Sequence, residues 1–128
     1  MATLIPGTPS VRLAIACLNE TIRLNVPENA AARGAQLFEG VQKLMDKYEM
    51  IGDVRGGHGL MTAIEVVSNR VTKSPDKSMP AKVQEVAYDH GAMVRVSGPN
   101  IIMSPPLILT ETDVEAILAA LDAGFRLL

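Results

Sequence analysis

The stretch Val94–Leu107, VRVSGPNIIMSPPL, reads as two short strands joined by a polar turn. Two of its features ask for a reason. Arg95 places a permanent cation in the first strand, and Pro105-Pro106 end the second. Neither proline has an amide hydrogen, so a strand ladder cannot run through them, and the chain must leave in an extended path.

The sequence on either side supports a mixed helix and strand order. Downstream, Thr110 with Asp113 three residues later has the form of a capping box. Val114, Ile117, Leu118, Leu121 and Phe125 then make a continuous helical stripe. Upstream, Ser78 is placed to cap a helix with Pro80 in its first turn, an apolar face of Val83, Val86 and Ala87, and Gly91 as a left-handed stop. Residues 68–77 are polar and read as a surface loop. LMTAIEVV (60–67) has apolar residues on both alternating faces, which predicts a strand covered on both sides with Glu65 near an edge or end. The glycine-rich IGDVRGGHGL (51–60) leads into it.

Two helices come first. One is predicted from Thr8, with Pro9 at its first position and Val11, Ile15, Leu18 and Ile22 on one face. The next runs from about Pro27 to Tyr48 with Leu37, Val41, Leu44 and Tyr48 as its inner stripe, although Gly34 and Gly40 each cost it up to ~1 kcal/mol relative to alanine. This order predicts a single domain over residues 1–128 of the α+β class. It is a two-layer sandwich in which a small, mixed, three- or four-stranded sheet carries helices packed on one face. A helical crossover between strands would make one pair parallel.

Composition narrows the function classes. The 128 residues are 48% hydrophobic and 20% charged, which suits one soluble domain with a real core. Aromatic residues are only 3% with no Trp, which argues against base- or sugar-stacking platforms. A formal charge of −2 provides no long-range attraction to nucleic acid or an anionic membrane. No apolar run reaches the ~18 residues of a membrane span. Cys17 is the only cysteine, so no internal disulfide can form. With no basic segment followed by an apolar run at the start, the expectation is a cytoplasmic protein.

GDVRG…GLMTAIEVV, HGAMVRVSG and IIMSPPLILTETDVEAILAAL, in this order, resemble the carboxyl-terminal part of class III aminotransferases, the pyridoxal-phosphate enzymes of fold type I that include the omega-transaminases. The likeness runs from about Pro6 to Phe125. Two departures stand out. The family's Gly-His-Pro is Gly7-Thr8-Pro9 here, and Val54-Arg55-Gly56-Gly57-His58-Gly59-Leu60 has one residue more than the family's usual glycine motif. The resemblance implies the small domain of a longer enzyme, with residues 1–25 as the leading helix that adjoins a large domain. In the family that large domain binds pyridoxal phosphate and carries the Schiff-base lysine.

For Arg95 the resemblance implies recognition of a substrate carboxylate, since a guanidinium matches a carboxylate with two parallel hydrogen bonds. The plain alternative is a surface arginine paired with a nearby acid. Pro105 and Pro106 lie by implication near the same site, with structural punctuation as the alternative reading. RGGHG lacks the ending of a nucleotide loop and precedes a strand, so a tight strand entry is the simpler account. His58, His90 and Cys17 share no metal-ligand spacing. Lys43, Lys47, Lys73, Lys77 and Lys82 fall on polar helix faces or in loops, not where a desolvated Schiff-base amine belongs. The expectation is therefore a non-catalytic small domain that binds no pyridoxal phosphate covalently by itself. Its partner is a missing large domain, a second protein or a second copy in a homodimer. The alternative is a stand-alone interaction or small-ligand module that reuses the domain.

Overall fold

The structure, a computed structural model, describes residues 9–128. The expected cap at Thr8 lies outside them. Two helices open the chain: α1 (Pro9–Arg23) and α2 (Val26–Lys47). Between them Asn25 takes a left-handed conformation, φ 49°, which asparagine tolerates better than most residues. Pro27 then sits in the first turn of α2, where its missing amide hydrogen costs nothing. The buried stripe of α2 is Val26, Ala30, Gly34, Leu37, Val41 and Leu44. Gly34 is there because the helix touches a loop: a Cβ on it would lie 2.1 Å from the carbonyl oxygen of Gly59.

Five strands follow: β1 (Ile51–Arg55), β2 (Thr62–Asn69), β3 (Ser74–Pro75), β4 (Arg95–Ser97) and β5 (Asn100–Met103). The main sheet has the order β1-β2-β5-β4, and β3 pairs with the far end of β2. β1 falls in what the sequence presents only as a glycine-rich lead-in. It carries an irregularity between Ile51 and Asp53, and Gly52 leaves room for Val67, whose methyl carbon would lie 2.6 Å from an added Cβ. The β1–β2 turn uses Gly56, Gly57 and Gly59 at φ 153°, 87° and 67°.

Every pairing is antiparallel, which corrects the expectation of a mixed sheet. The crossover exists: α3 (Met79–Asp89) carries the chain from the β2–β3 end to β4. β4 does run in the direction of β2, but it lies at the sheet edge. The turn at Gly98, φ 59°, folds β5 back between them, and β5 opposes both neighbours.

Helices α2, α3 and α4 (Glu111–Arg126) cover one face, where Ile64, Val66, Ile101, Leu37, Val41, Val83, Val114, Leu121 and Phe125 are buried. The other face corrects the expectation for β2. Val67 is buried on that side over Gly52, but Ala63, Glu65 and Ile102 are only half-buried and Arg55 and Arg95 are exposed, so most of that face is open among the described residues.

The capping box of α4 forms as expected, with the Asp113 amide donating to Thr110 Oγ1 at 3.2 Å and the Thr110 amide to Asp113 Oδ2 at 2.9 Å. α3 is capped differently. Ser78 makes no cap bond; Asp76 accepts from the amides of Ser78 and Met79 at 2.7 and 3.0 Å. The loop 68–77 also hides a clamp. Arg70, half-buried, donates to the carbonyls of Met45, Tyr48 and Ile51, fastening the end of α2 to the start of β1. No helix among the described residues is long and apolar enough to cross a membrane.

Asp122 ties the ends of α2 and α4. It accepts from Lys47 Nζ at 2.5 Å, Tyr48 Oη at 2.9 Å and Arg126 at 2.5 Å. The Lys47 hydrogen bond, above the other contacts, holds its carboxyl below the usual carboxylate range. A folded-state value below the unfolded one means stability that is present above the unfolded pKa and lost as pH falls through the folded one. Asp122→Asn should therefore cost about 1 kcal/mol at pH 7. That difference should shrink as urea unfolding is repeated below pH ~4.

The two α2 glycines make a second test. Gly34→Ala drives a methyl into backbone and should destabilise by about 2–3 kcal/mol despite alanine's better helix propensity. At Gly40 the three atoms nearest an added methyl all belong to the Leu118 side chain, the closest at 2.2 Å, and a side chain can turn away. The cost of Gly40→Ala should stay within about 1 kcal/mol. Chemical denaturation of both variants decides the comparison.

Candidate functional site

The β4–β5 hairpin alternates as its sequence suggests. Val94 is buried and Val96 half-buried, while Arg95 and Ser97 point away. The ladder runs Ser97–Asn100, Val96–Ile101, Arg95–Ile102 and goes no further. Beyond Arg95–Ile102 the two chains part: residues 92–94 turn toward the end of α3, and Ser104-Pro105-Pro106 lead to α4. The opening between them is a groove of about 680 Å³.

Arg95, Pro105 and Pro106 all line this groove, so the three residues singled out from the sequence come together. Most of the remaining wall is apolar, including Ala92, Met103, Leu109 and Ile117. Sequence reading missed Gln84, which reaches in from α3 and donates from Nε2 to the Val94 carbonyl at 2.7 Å. His90 also borders the groove. Its Nδ1 lies 2.8 Å from the Val86 carbonyl, which can only accept, so that nitrogen carries the proton.

Charge in the groove is uneven. Asp113 is engaged in the α4 cap, and its hydrogen bonds to Thr110 hold its carboxyl below the usual range. Arg95 is exposed and joins none of the ion pairs among the described residues. The acid that lines the same groove, Asp113, is taken up by the Thr110 cap and makes no ion pair with Arg95. Arg55, the other arginine on the open sheet face, is committed: it donates to Asn100 Oδ1 at 2.9 Å and lies 3.6 Å from Asp53 and 3.9 Å from Glu65.

The remaining candidates do not assemble. The Gly56–Gly59 loop is laid against α2, with Phe38 facing Gly57 and Gly34 under Gly59, as a packed strand entry would be. Thr62, buried beside it, has a hydroxyl without a partner. No cluster of histidine, cysteine and carboxylate suited to a metal occurs among the described residues. Cys17 is exposed on α1. The whole of α1 buries no residue, and the stripe residues Ile15, Leu18 and Ile22 are 53%, 62% and 75% exposed.

All five lysines are exposed. A Schiff-base amine needs its proton affinity lowered. Lys47 is shifted the opposite way, upward, by its hydrogen bonds to Asp122 and Tyr48. The chain's own lysines therefore do not fit a covalent site for pyridoxal phosphate.

The family model for aminotransferase class-III matches residues 7–124. The chain belongs to the class III aminotransferases. It is 35% identical over 120 residues to a taurine–pyruvate aminotransferase of Bilophila wadsworthia and 34% identical over 116 residues to the mitochondrial alanine–glyoxylate aminotransferase 2 homolog 2 of Arabidopsis thaliana. Each alignment covers 88% of this chain, but only 26% and 24% of the relative. Among solved structures, an amine transaminase from an uncultivated Pseudomonas species, in its PLP-bound internal aldimine form, superposes with a TM-score of 0.84 at 39% identity, over 88% of this chain and 26% of that one. The chain thus spans about a quarter of the length of the class III aminotransferases it matches, and its α+β sandwich is one domain's worth of such an enzyme.

Proposed function

We propose that this chain serves as the small domain of a class III aminotransferase and contributes carboxylate recognition through Arg95. The observation that carries this reading is the state of that arginine. It is a permanent cation at the mouth of a mostly apolar groove, in no ion pair among the described residues, beside the Pro105-Pro106 corner. A guanidinium so placed offers two parallel donors to an amino acid or keto acid carboxylate. The apolar walls suit the rest of a small substrate.

Amino-group transfer needs what the lysines of this chain do not offer. In this reading the cofactor and its lysine come from a large domain, and pyridoxal phosphate supplies the electron sink there. The docking face is α1, which presents Leu13, Ile15, Leu18 and Ile22 to solvent. A patch of this kind calls for a covering partner. A large domain or, in its absence, a second copy of the chain fills that role. The single unpaired cysteine suits a reducing compartment such as the cytoplasm.

The test is complementation. The purified chain is mixed with a class III aminotransferase large domain made without its own small domain. Amino transfer to pyruvate should appear only in the mixture. Arg95→Ala should then raise the KM for pyruvate about tenfold or more, the worth of a lost charge-assisted pair. Turnover by the chain alone, or a borohydride-reducible cofactor imine on one of its five lysines, would overturn the reading. Sedimentation gives an independent check on the docking face. The free chain should self-associate at micromolar concentration, and Ile15→Glu with Leu18→Glu should leave it monomeric.

A further inference from the structure

Arg95 can act on a carboxylate only if its backbone is held still, and the ladder gives it support on one side alone. Its pairing with Ile102 is the last rung of β4–β5. In that rung, two residues on from the pair that closes the turn, the Arg95 amide faces β5, while the Val94 carbonyl of the same peptide faces away from it and needs another partner. The chain reaches that peptide from α3 through Gly91, at φ 87°, and is fixed at two points on the way. The first is ordinary helix termination: the Ala92 amide donates to the Ala87 carbonyl at 2.8 Å. Met93 follows, 85% exposed. The second is the Gln84 amide on the Val94 carbonyl at 2.7 Å, a bond made by a side chain.

Gln84 stands on a rigid base. Its neighbours Val83 and Ala87 are fully buried, and Gly124 of α4 packs so closely on Val83 that an added Cβ would be 2.9 Å from a Val83 methyl carbon. The acceptor it holds belongs to the same peptide unit as the Arg95 nitrogen. Rotation of that plane would swing the Arg95 Cα–Cβ bond, and the guanidinium lies several bonds further out, so a small backbone error grows at the tip. Without Gln84 the Val94 carbonyl would have no strand partner to replace it.

We propose that Gln84 is the positioning residue of the carboxylate site: by binding the Val94 carbonyl it sets the direction in which Arg95 enters the groove. This rests on the reading of Arg95 as the carboxylate clamp, and it assigns to an α3 side chain the control of that clamp's aim.

The test compares two ligands of the same shape, butanoate and butyramide, titrated into the full 128-residue chain and followed by NMR at the Arg95 Nε–H and at the amides of the groove. Butanoate should bind more tightly than butyramide, and Arg95→Ala should abolish the preference. Gln84→Met removes the donor at nearly constant volume. It should reduce the preference about three- to tenfold, the equivalent of one lost hydrogen bond, and leave butyramide affinity unchanged. Gln84→Ala, which also lacks the donor and adds no charge, should do the same and serves if the methionine variant folds poorly. A merely structural role would weaken both ligands together, and that result overturns the proposal. So does an undiminished butanoate preference in both Gln84 variants while Arg95→Ala loses it; the Arg95 reading then stands alone. If the wild-type chain shows no preference, or Arg95→Ala keeps it, the Arg95 reading and the role of Gln84 fall together.

Discussion

Residues 105 and 106 have no amide hydrogen to give, and β5 therefore ends at Met103. The β4–β5 ladder ends one rung earlier, at Arg95–Ile102, and beyond it the two chains part, β5 running into the proline pair. The gap becomes a groove only because α3 and α4 close it from the core side, so an apolar hollow opens beside an exposed cation. Extending the hairpin by two more rungs would fill that space with backbone. The proline pair, so often mere punctuation, here borders the groove that Arg95 lines.

The two faces of the sheet divide the labour. The covered face holds the core, built from α2, α3 and α4 through residues such as Leu37, Val83, Leu121 and Phe125. The open face carries side chains that a buried strand would not, Glu65, Arg55 and Arg95 among them. Arg55 is bound to its neighbours across the strands, which steadies the surface. Arg95 is left available. The same residue type thus has two fates set by what lies opposite, and identity alone would not separate them.

Much of the fold was legible because its signals are local. The α4 capping box, the Gly91 stop, the Pro27 start and the hairpin turn each depend on a few adjacent residues, and each formed. What was not legible depended on contacts distant in sequence. β1 was hidden because Gly52 and the polar Asp53 break the alternation, and Gly52 makes sense only once Val67 is seen against it. Asp76 displaced the nearer Ser78 as the α3 cap because its carboxylate reaches two amides at once. The antiparallel order depended on β5 inserting beside β2. The nearness of Arg95 to the prolines could be read because a single short stretch carries all three. Gln84 could not, since its contact depends on the rotation of α3. Periodicity showed that Ile15, Leu18 and Ile22 share a face of α1; it could not show that no other described residue covers that face.

The position of Asn25 has one more consequence. The first buried residue of the described chain is Val26, immediately after the left-handed break, so the hydrophobic interior is complete without α1. The leading helix joins the rest through that one left-handed residue and adds no buried residue of its own. A chain cut back to residue 26 would then keep its interior and lose chiefly the exposed apolar stripe.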